Sequence, residues 1–491
     1  MRHWTLSLLM MTVLLPAKAQ EQPSFGEFFF DRALRIELFC TGDARNEEVT
    51  VGSLIEEPIW PGNPAVLLQP FERGHHKVSV YDSVTKRLIY AAGYDDMLGE
   101  YQTTAPAQNG IRRTFERAVR IPMPKRAAFV VLESRDRKNL LHTTAKFQID
   151  PRDVGIIRES PDRGDRIMHP IANGDPHTHV DLVFLAEGYT AAEQAKFESD
   201  VNRFVGALFT VEPYASLKQR FNVSTIFRPS VEEGTDEPRQ HVFRSTVLQS
   251  SFNAFGLDRY LLTEDGFALR RMAAEVPYDA IVVLVNSPRY GGGGIYNDYC
   301  ITTADHRASL QVFAHEFGHA FAGLADEYYS SDVAYNEFYA PGVEPLEPNI
   351  TALLDPPNVK WKDLLTPGIP VPTPYGRDLV DSLSARRWSV RDSLGALRRR
   401  EKDGSGQGSR MRATETEWKR EDERLRLQID SVREAYHWSE PRVGAFEGAG
   451  YAARGLYRPM VYCLMISSPT NEFCLVCRRA IARAIDLYSV R

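Results

Sequence analysis

Past its first twenty residues the sequence has no apolar run as long as 18 residues, so nothing in the rest of the chain predicts a membrane-spanning helix. It has no strong excess of either charge. Its 59 basic and 65 acidic residues leave a net charge of -6, which excludes a global nucleic-acid footprint. No Gly-Lys-Ser/Thr follows the glycine run in "YGGGGIYNDYCITTAD" (290–305), so that run is not a phosphate loop. Cysteine is scarce. The five are Cys40, Cys300, Cys463, Cys474 and Cys477, an odd number that leaves at least one unpaired. Three of them fall in "CLMISSPTNEFCLVC" (463–477). A zinc ribbon needs a second Cys-x-x-Cys pair, and the sequence has none. A local disulfide from Cys463 to Cys474 or Cys477 is the expected arrangement.

What is present begins with an export signal. Arg2 and His3 precede an apolar stretch from Leu6 to Leu15, which is too short to span a bilayer. Ala17-Lys18-Ala19 has the small-x-small form of a signal-peptidase site. The reading is a signal peptide over 1–19, a mature chain starting near Gln20, and a periplasmic, cell-surface or secreted product.

The length of 491 residues suggests two or three domains. Residues 20–150 carry short β-rich runs, "LRIELF" (34–39), "PAVLLQP" (64–70), "HKVSVYDS" (76–83), "RLIYAAGY" (87–94), "RAVRIPMP" (117–124) and "AAFVVLESR" (127–135), separated by turn residues. That spacing predicts a small all-β sandwich-like domain. Residues 151–179, rich in Pro, Gly and Asp, read as a linker. From 180 to 491 strands alternate with helices, which predicts an α/β (α+β) domain. Its first strand, "VDLVFLAEGYT", leads into a helix capped by Thr190 and Glu193. The glycine run reads as a loop entering an edge strand beside which an extended substrate could lie. A charged insertion at about 376–440 has Leu383, Val390, Leu394 and Leu397, then Leu425, Ile429, Val432 and Tyr436, at helical spacing. It predicts an antiparallel helical hairpin.

The chemistry is concentrated in "FAHEFGHAFAGLADEYYSS" (313–331). His315 and His319 are four residues apart, so a helix places both imidazoles on one face, where they can share one zinc ion. Glu316 lies beside them, placed to accept a proton from a water polarised by the metal. Leu310, Phe313, Phe317 and Phe321 form an apolar stripe that buries the opposite face. Zinc needs a third protein ligand. Gly323 can end the helix, after which Asp326 or Glu327 can return to the ion. In the metzincin pattern a glycine precedes the third ligand by three residues, and that interval favours Asp326.

The stretch "HEFGHAFAGLADEY", together with "FEGAGYAARGLYRPMVYCLM" and "FCLVCRRAI", resembles the M64 or IgA-peptidase family of metallopeptidases. The 24–150 segment resembles the N-terminal domain often attached to it. The resemblance implies a metzincin-like zinc peptidase domain and one catalytic Zn2+ held by His315, His319 and Asp326. It also implies Glu316 as base and a methionine in a turn beneath the metal, Met465, with Met460 as the fallback. The implied activity is an exported endopeptidase acting on a polypeptide, with host glycoproteins or immunoglobulin among the candidate substrates. The oligomeric state is left open. Two other readings share the motif: a catalytically altered binding module on a peptidase scaffold, and a zinc amidase acting on cell-wall peptides. The 376–440 insertion departs from the family pattern.

Overall fold

Alternating burial along the early strands sets up two layers. The computed structural model describes residues 21–158, 164–329, 338–402, 408–466 and 471–489. The expected signal peptide, 1–19, lies outside them. In chain order the first strands are β1 (Phe29–Gly42), β2 (Glu47–Glu57), β3 (His76–Asp82), β4 (Leu88–Tyr94), β5 (Arg113–Pro124), β6 (Ala128–Arg135), β7 (Leu141–Ile149) and β8 (Ile157–Arg158). Three short helices, α1 (Phe25–Phe28), α2 (Met97–Gln102) and α3 (Ala105–Gln108), lie between or before them. The strands form two four-stranded sheets, ordered β5-β1-β2-β8 and β4-β3-β6-β7. Leu34, Ile36 and Leu38 of the first share one core with Val78, Val80, Val130 and Leu132 of the second. Every second residue points inward, as the pleat requires.

Two departures from the sequence reading are local. The run at 64–70 is not a strand, and Leu68 makes only an isolated bridge to Ala91. β2 and β7 have no counterpart in that reading, because both are largely exposed and their apolar residues do not alternate cleanly.

The second domain is built on a six-stranded sheet. Its strands are β9 (Arg166–Ile171), β10 (Val180–Glu187), β11 (Phe221–Phe227), β12 (Ala280–Val285), β13 (Gly292–Ile295) and β14 (Tyr299–Thr303), ordered β13-β14-β12-β10-β11-β9. β14, β12, β10 and β11 are parallel, and the two outer strands run antiparallel to their neighbours. The described parts of the segment expected as a linker are therefore structured. It supplies β8 to the first domain and the edge strand β9 to the second.

α4 (Gln194–Leu208) follows β10 through a single 3-10 turn. The Glu193 carboxylate accepts from the backbone N–H of Thr190 at 2.9 Å and from its hydroxyl at 2.8 Å. Later helices are α5 (Gly266–Ala273), α6 (Ser309–Ala322), α7 (Arg377–Lys402), α8 (Gly408–Ala435) and α9 (Leu475–Tyr488). A short hairpin of β15 (Phe446–Ala449) and β16 (Ala452–Arg458) precedes α9.

The central strands are buried on both faces, which is why they read as continuous apolar runs. Leu182, Phe184, Val282 and Leu284 face a core shared with α4, α6 and α9. Val183, Leu185, Val283 and Val285 face the other way. Through α5 and residues 248–262 they join the core of the first domain. Contacts across this seam include the Phe39–Phe267 ring pair, at 5.3 Å, and the Arg113–Glu264 ion pair, at 2.7 Å. The insertion is a helical hairpin of α7 and α8. Arg387 pairs with Asp422 at 2.8 Å, and Leu383 packs in one cluster with Leu425 and Ile429. Its base sits on Tyr375, Trp438 and Phe446 of the main body.

At the start of the sheet two carboxylates lie together. The Asp181 N–H donates to Asp279 Oδ2 at 2.9 Å, and the Asp279 N–H donates to the Asp181 carbonyl at 2.7 Å. Burial pushes Asp181 up to about 7. Burial, and then the charge of Asp181, raises Asp279 well above the ordinary range. Both folded values exceed the unfolded value of about 3.9. The stability these groups contribute is therefore full below about pH 4 and is lost as pH rises towards 7. Asp279→Asn keeps an acceptor and removes a charge. It should raise Tm at pH 7 by about 2 °C or more and flatten the pH dependence between 4 and 7. An unchanged or lower Tm at pH 7 would contradict this.

Candidate metal centre

α6 carries the His-Glu-x-x-His sequence because its two faces differ. Phe313, Phe317 and Phe321 are buried against the sheet, each contributing roughly 2 kcal/mol of apolar burial. His315, Glu316 and His319 are half-buried on another face and line a cleft of about 1160 Å³. His315 Nε2 and His319 Nε2 are 3.1 Å apart. The Nδ1–H of His315 donates to the Leu464 carbonyl at 3.0 Å, and that of His319 donates to the Leu324 carbonyl at 2.6 Å. These bonds assign the proton to Nδ1 and leave both Nε2 lone pairs facing inward.

Asp326 completes the group. Gly323 ends α6 in the left-handed region, φ 57°, and its N–H donates back to the His319 carbonyl at 2.9 Å. The chain then turns under the helix end. Asp326 Oδ1 comes to 3.0 Å from His315 Nε2 and 3.4 Å from His319 Nε2. Its Oδ2 accepts from the Tyr451 hydroxyl, and its carbonyl accepts from the Gly450 N–H at 3.0 Å. Oδ1 is buried and accepts no hydrogen bond among the described residues.

Three electron-pair donors this close repel one another unless a cation or protons lie among them. Donors about 2.0–2.1 Å from a tetrahedral zinc lie ~3.3 Å apart, which is the size of this triangle. The electrostatics agree. Burial opposes protonation of His315, but the carboxylate of Asp326 more than offsets it and lifts the group to about 10. Burial likewise raises Asp326, but the two imidazoles, His319 first, hold it far below the usual carboxylate range. The centre favours positive charge, and its donor set fits zinc.

Glu316 offers a carboxylate oxygen within 4.8 Å of the ligand atoms of His315 and His319. Burial raises its carboxyl. The cleft before it has walls from both domains. Arg73, Asp95 and Glu100 come from the first, and Tyr290, Tyr328 and Tyr339 from the second. Glu100 accepts from the Tyr260 hydroxyl at 2.9 Å, and burial pushes it up to about 7. Sequence reasoning did not find these first-domain residues, since only tertiary docking brings them to α6.

β13 borders the cleft through Gly292 and Gly294. At Gly292 its outer edge is already paired with Tyr260, and the Gly292 carbonyl accepts from the Leu261 N–H at 3.5 Å. At that point the edge is therefore taken, contrary to the expectation of a free edge for substrate.

Met465 is fully buried beneath α6. Its sulphur lies 3.1 Å from where a side-chain carbon on Gly318 would stand. Its carbonyl accepts from the Glu327 N–H at 2.9 Å. Met460 is only partly buried and packs against the same core. Glu327 faces away from the histidines into a buried group with Cys463, Cys474 and Cys477. The expected disulfide is absent. All five cysteines are free, and Cys463 Sγ and Cys477 Sγ stand 3.7 Å apart, far beyond the ~2.05 Å of a disulfide. Glu327 Oε1 lies 3.1 Å from Cys477 and 3.8 Å from Cys474, so the thiols gather around a carboxylate as well as one another.

Gly294 packs directly on α6, and an added side chain there would collide with the Glu316 carbonyl oxygen. Gly294→Ala should cost ~1–3 kcal/mol and lower Tm by several degrees. Gly206→Ala, in α4 with nothing within 4 Å, should cost nothing. Thermal melts of the two variants check this, and equal melts would sink it.

No curated protein matches the chain. Family models do. Residues 24–146 match the Peptidase M64 N-terminus, and residues 170–485 match IgA Peptidase M64. With a helix bearing His315, Glu316 and His319 at the floor of a two-domain cleft, and that match running over most of its length, the chain belongs to the IgA peptidase M64 family of peptidases.

Proposed function

We propose that the chain is an exported zinc-dependent endopeptidase, with His315, His319 and Asp326 holding one catalytic zinc and Glu316 as general base. The observation that carries this is the convergence of two Nε2 atoms and Oδ1 within 3.4 Å on the floor of the cleft. When bound, zinc supplies Lewis-acid polarisation of the attacking water and of the scissile carbonyl. Glu316 sits on the open side of the centre and takes the proton from the attacking water. The same carboxyl, raised by its burial, then gives that proton to the departing amine nitrogen. Tyr451 and the Leu464 and Leu324 carbonyls fix the ligands in rotation and tautomer. Met465 fills the space under the helix, in the role of the methionine turn of metzincin-like peptidases. The cleft's size and open form suit an extended polypeptide. Immunoglobulin A, named in the family's description, is the first substrate to assay.

Glu316→Gln keeps size and hydrogen bonding but cannot accept the proton. Peptide cleavage should fall by about a hundred- to ten-thousand-fold while metal content stays at the wild-type level. Near-wild-type cleavage would overturn the assignment of the base. Export rests on Ala17-Lys18-Ala19. N-terminal sequencing of the protein from its native source should begin at or near Gln20, and a start at Met1 would overturn export.

A further inference from the structure

We infer that Cys463, Cys474, Cys477 and Glu327 form a second zinc site, structural rather than catalytic. It lies behind the catalytic centre and goes beyond the activity proposed above. All four residues are buried, and their ligand atoms lie within 4.8 Å of one another.

The spacing is that of a tetrahedral S3O cage. Sulphurs about 2.3 Å from a central zinc lie ~3.8 Å apart, and a sulphur and a carboxylate oxygen ~3.5 Å apart. Cys463 Sγ and Cys477 Sγ are 3.7 Å apart, and Glu327 Oε1 lies 3.1 Å from Cys477 Sγ and 3.8 Å from Cys474 Sγ. The backbone is arranged for thiolates. Cys474 caps the N-terminus of α9, and its sulphur accepts from the Cys477 N–H at 3.4 Å. Cys463 Sγ accepts from the Cys474 N–H at 3.2 Å. Such N–H donors and a helix N-terminus favour negative sulphur. Glu327 Oε1 accepts from Asn349 Nδ2 at 2.9 Å, and Oε2 is buried with no hydrogen-bond partner among the described residues. A buried carboxylate with one oxygen against the thiols and the other unpartnered is costly without a cation. Three thiolates and one carboxylate oxygen are ligand types that tetrahedral zinc accepts.

The position says what the site does. Asp326 and Glu327 are neighbours whose side chains point to opposite sides, one to the histidines and one to the cysteines. The Glu327 N–H donates to the Met465 carbonyl, and Leu464, between Cys463 and Met465, accepts from His315. Zinc in the cage would clamp the loop bearing Asp326 to the turn bearing Leu464 and Met465.

The test uses the full mature chain, zinc and cobalt. Wild type should hold two zinc ions, and a His315→Ala/His319→Ala variant should keep one. Its cobalt-loaded form should show a thiolate-to-cobalt charge-transfer band, lost on adding Cys477→Ser. Wild type, chelated and denatured without reductant, should titrate five free thiols. A folded histidine variant without metal, retained metal without the thiolate band, or a count of three thiols would overturn the site, the last by showing a disulfide. If the histidine variant does not fold, the cobalt spectrum and thiol count of wild type decide. Should the catalytic reading alone fail, wild type would hold one zinc and still give the thiolate band.

Discussion

Two imidazole nitrogens and a carboxylate oxygen are held with their lone pairs facing one another inside 3.4 Å, and much of the second domain is organised by that constraint. An unfavourable arrangement of this kind survives only if each donor is fixed from behind. His315 is fixed by the Leu464 carbonyl, His319 by the Leu324 carbonyl, and Asp326 by Tyr451 and the Gly450 N–H. These holders come from three separate segments: the turn after α6, the tip of the β15–β16 hairpin, and the turn before α9. Removing any one would free a ligand to rotate, even though none of the holders is itself one of the three converging atoms.

The sheet explains why the cleft has two walls. Odd and even residues of β10 and β12 enter different cores, one with the helices and one with the first domain. The first domain is thus the second layer of the peptidase domain's own sheet. Arg73, Asp95 and Glu100 reach the cleft by virtue of that docking. The helical hairpin at 377–435, by contrast, lines none of the cleft among the described residues. Its base meets the cleft rim at Tyr329, whose hydroxyl donates to Asp381 at 2.9 Å and whose ring lies under the Arg377 guanidinium.

The centre was legible in sequence where its geometry is local. A four-residue interval on a helix, a glycine at its end and a three-residue interval to an acid need no tertiary information, so His315, Glu316, His319, Gly323 and Asp326 could be read together. The β-rich first domain and the parallel strands were legible from their apolar patterns, as was the helical hairpin. β2 and β7 were not, because exposed strands lose the alternation that reveals them. The cysteines were misread because closeness in sequence suggests a local disulfide, while the fourth member of their cluster, Glu327, is 150 residues from Cys477. The interval rule that favoured Asp326 left Glu327 without a role. In the folded chain the two adjacent acids face opposite sides.

The separations in the chain have a temporal meaning. His315 is oriented by a carbonyl 149 residues further on, and Asp326 by a hydroxyl 125 residues further on. Contacts so distant cannot form until the chain between their partners has been made. A chain truncated before the turn at Leu464 has the His-Glu-x-x-His helix without the carbonyl that aims His315. The aim of His315 is therefore a property of the nearly complete chain.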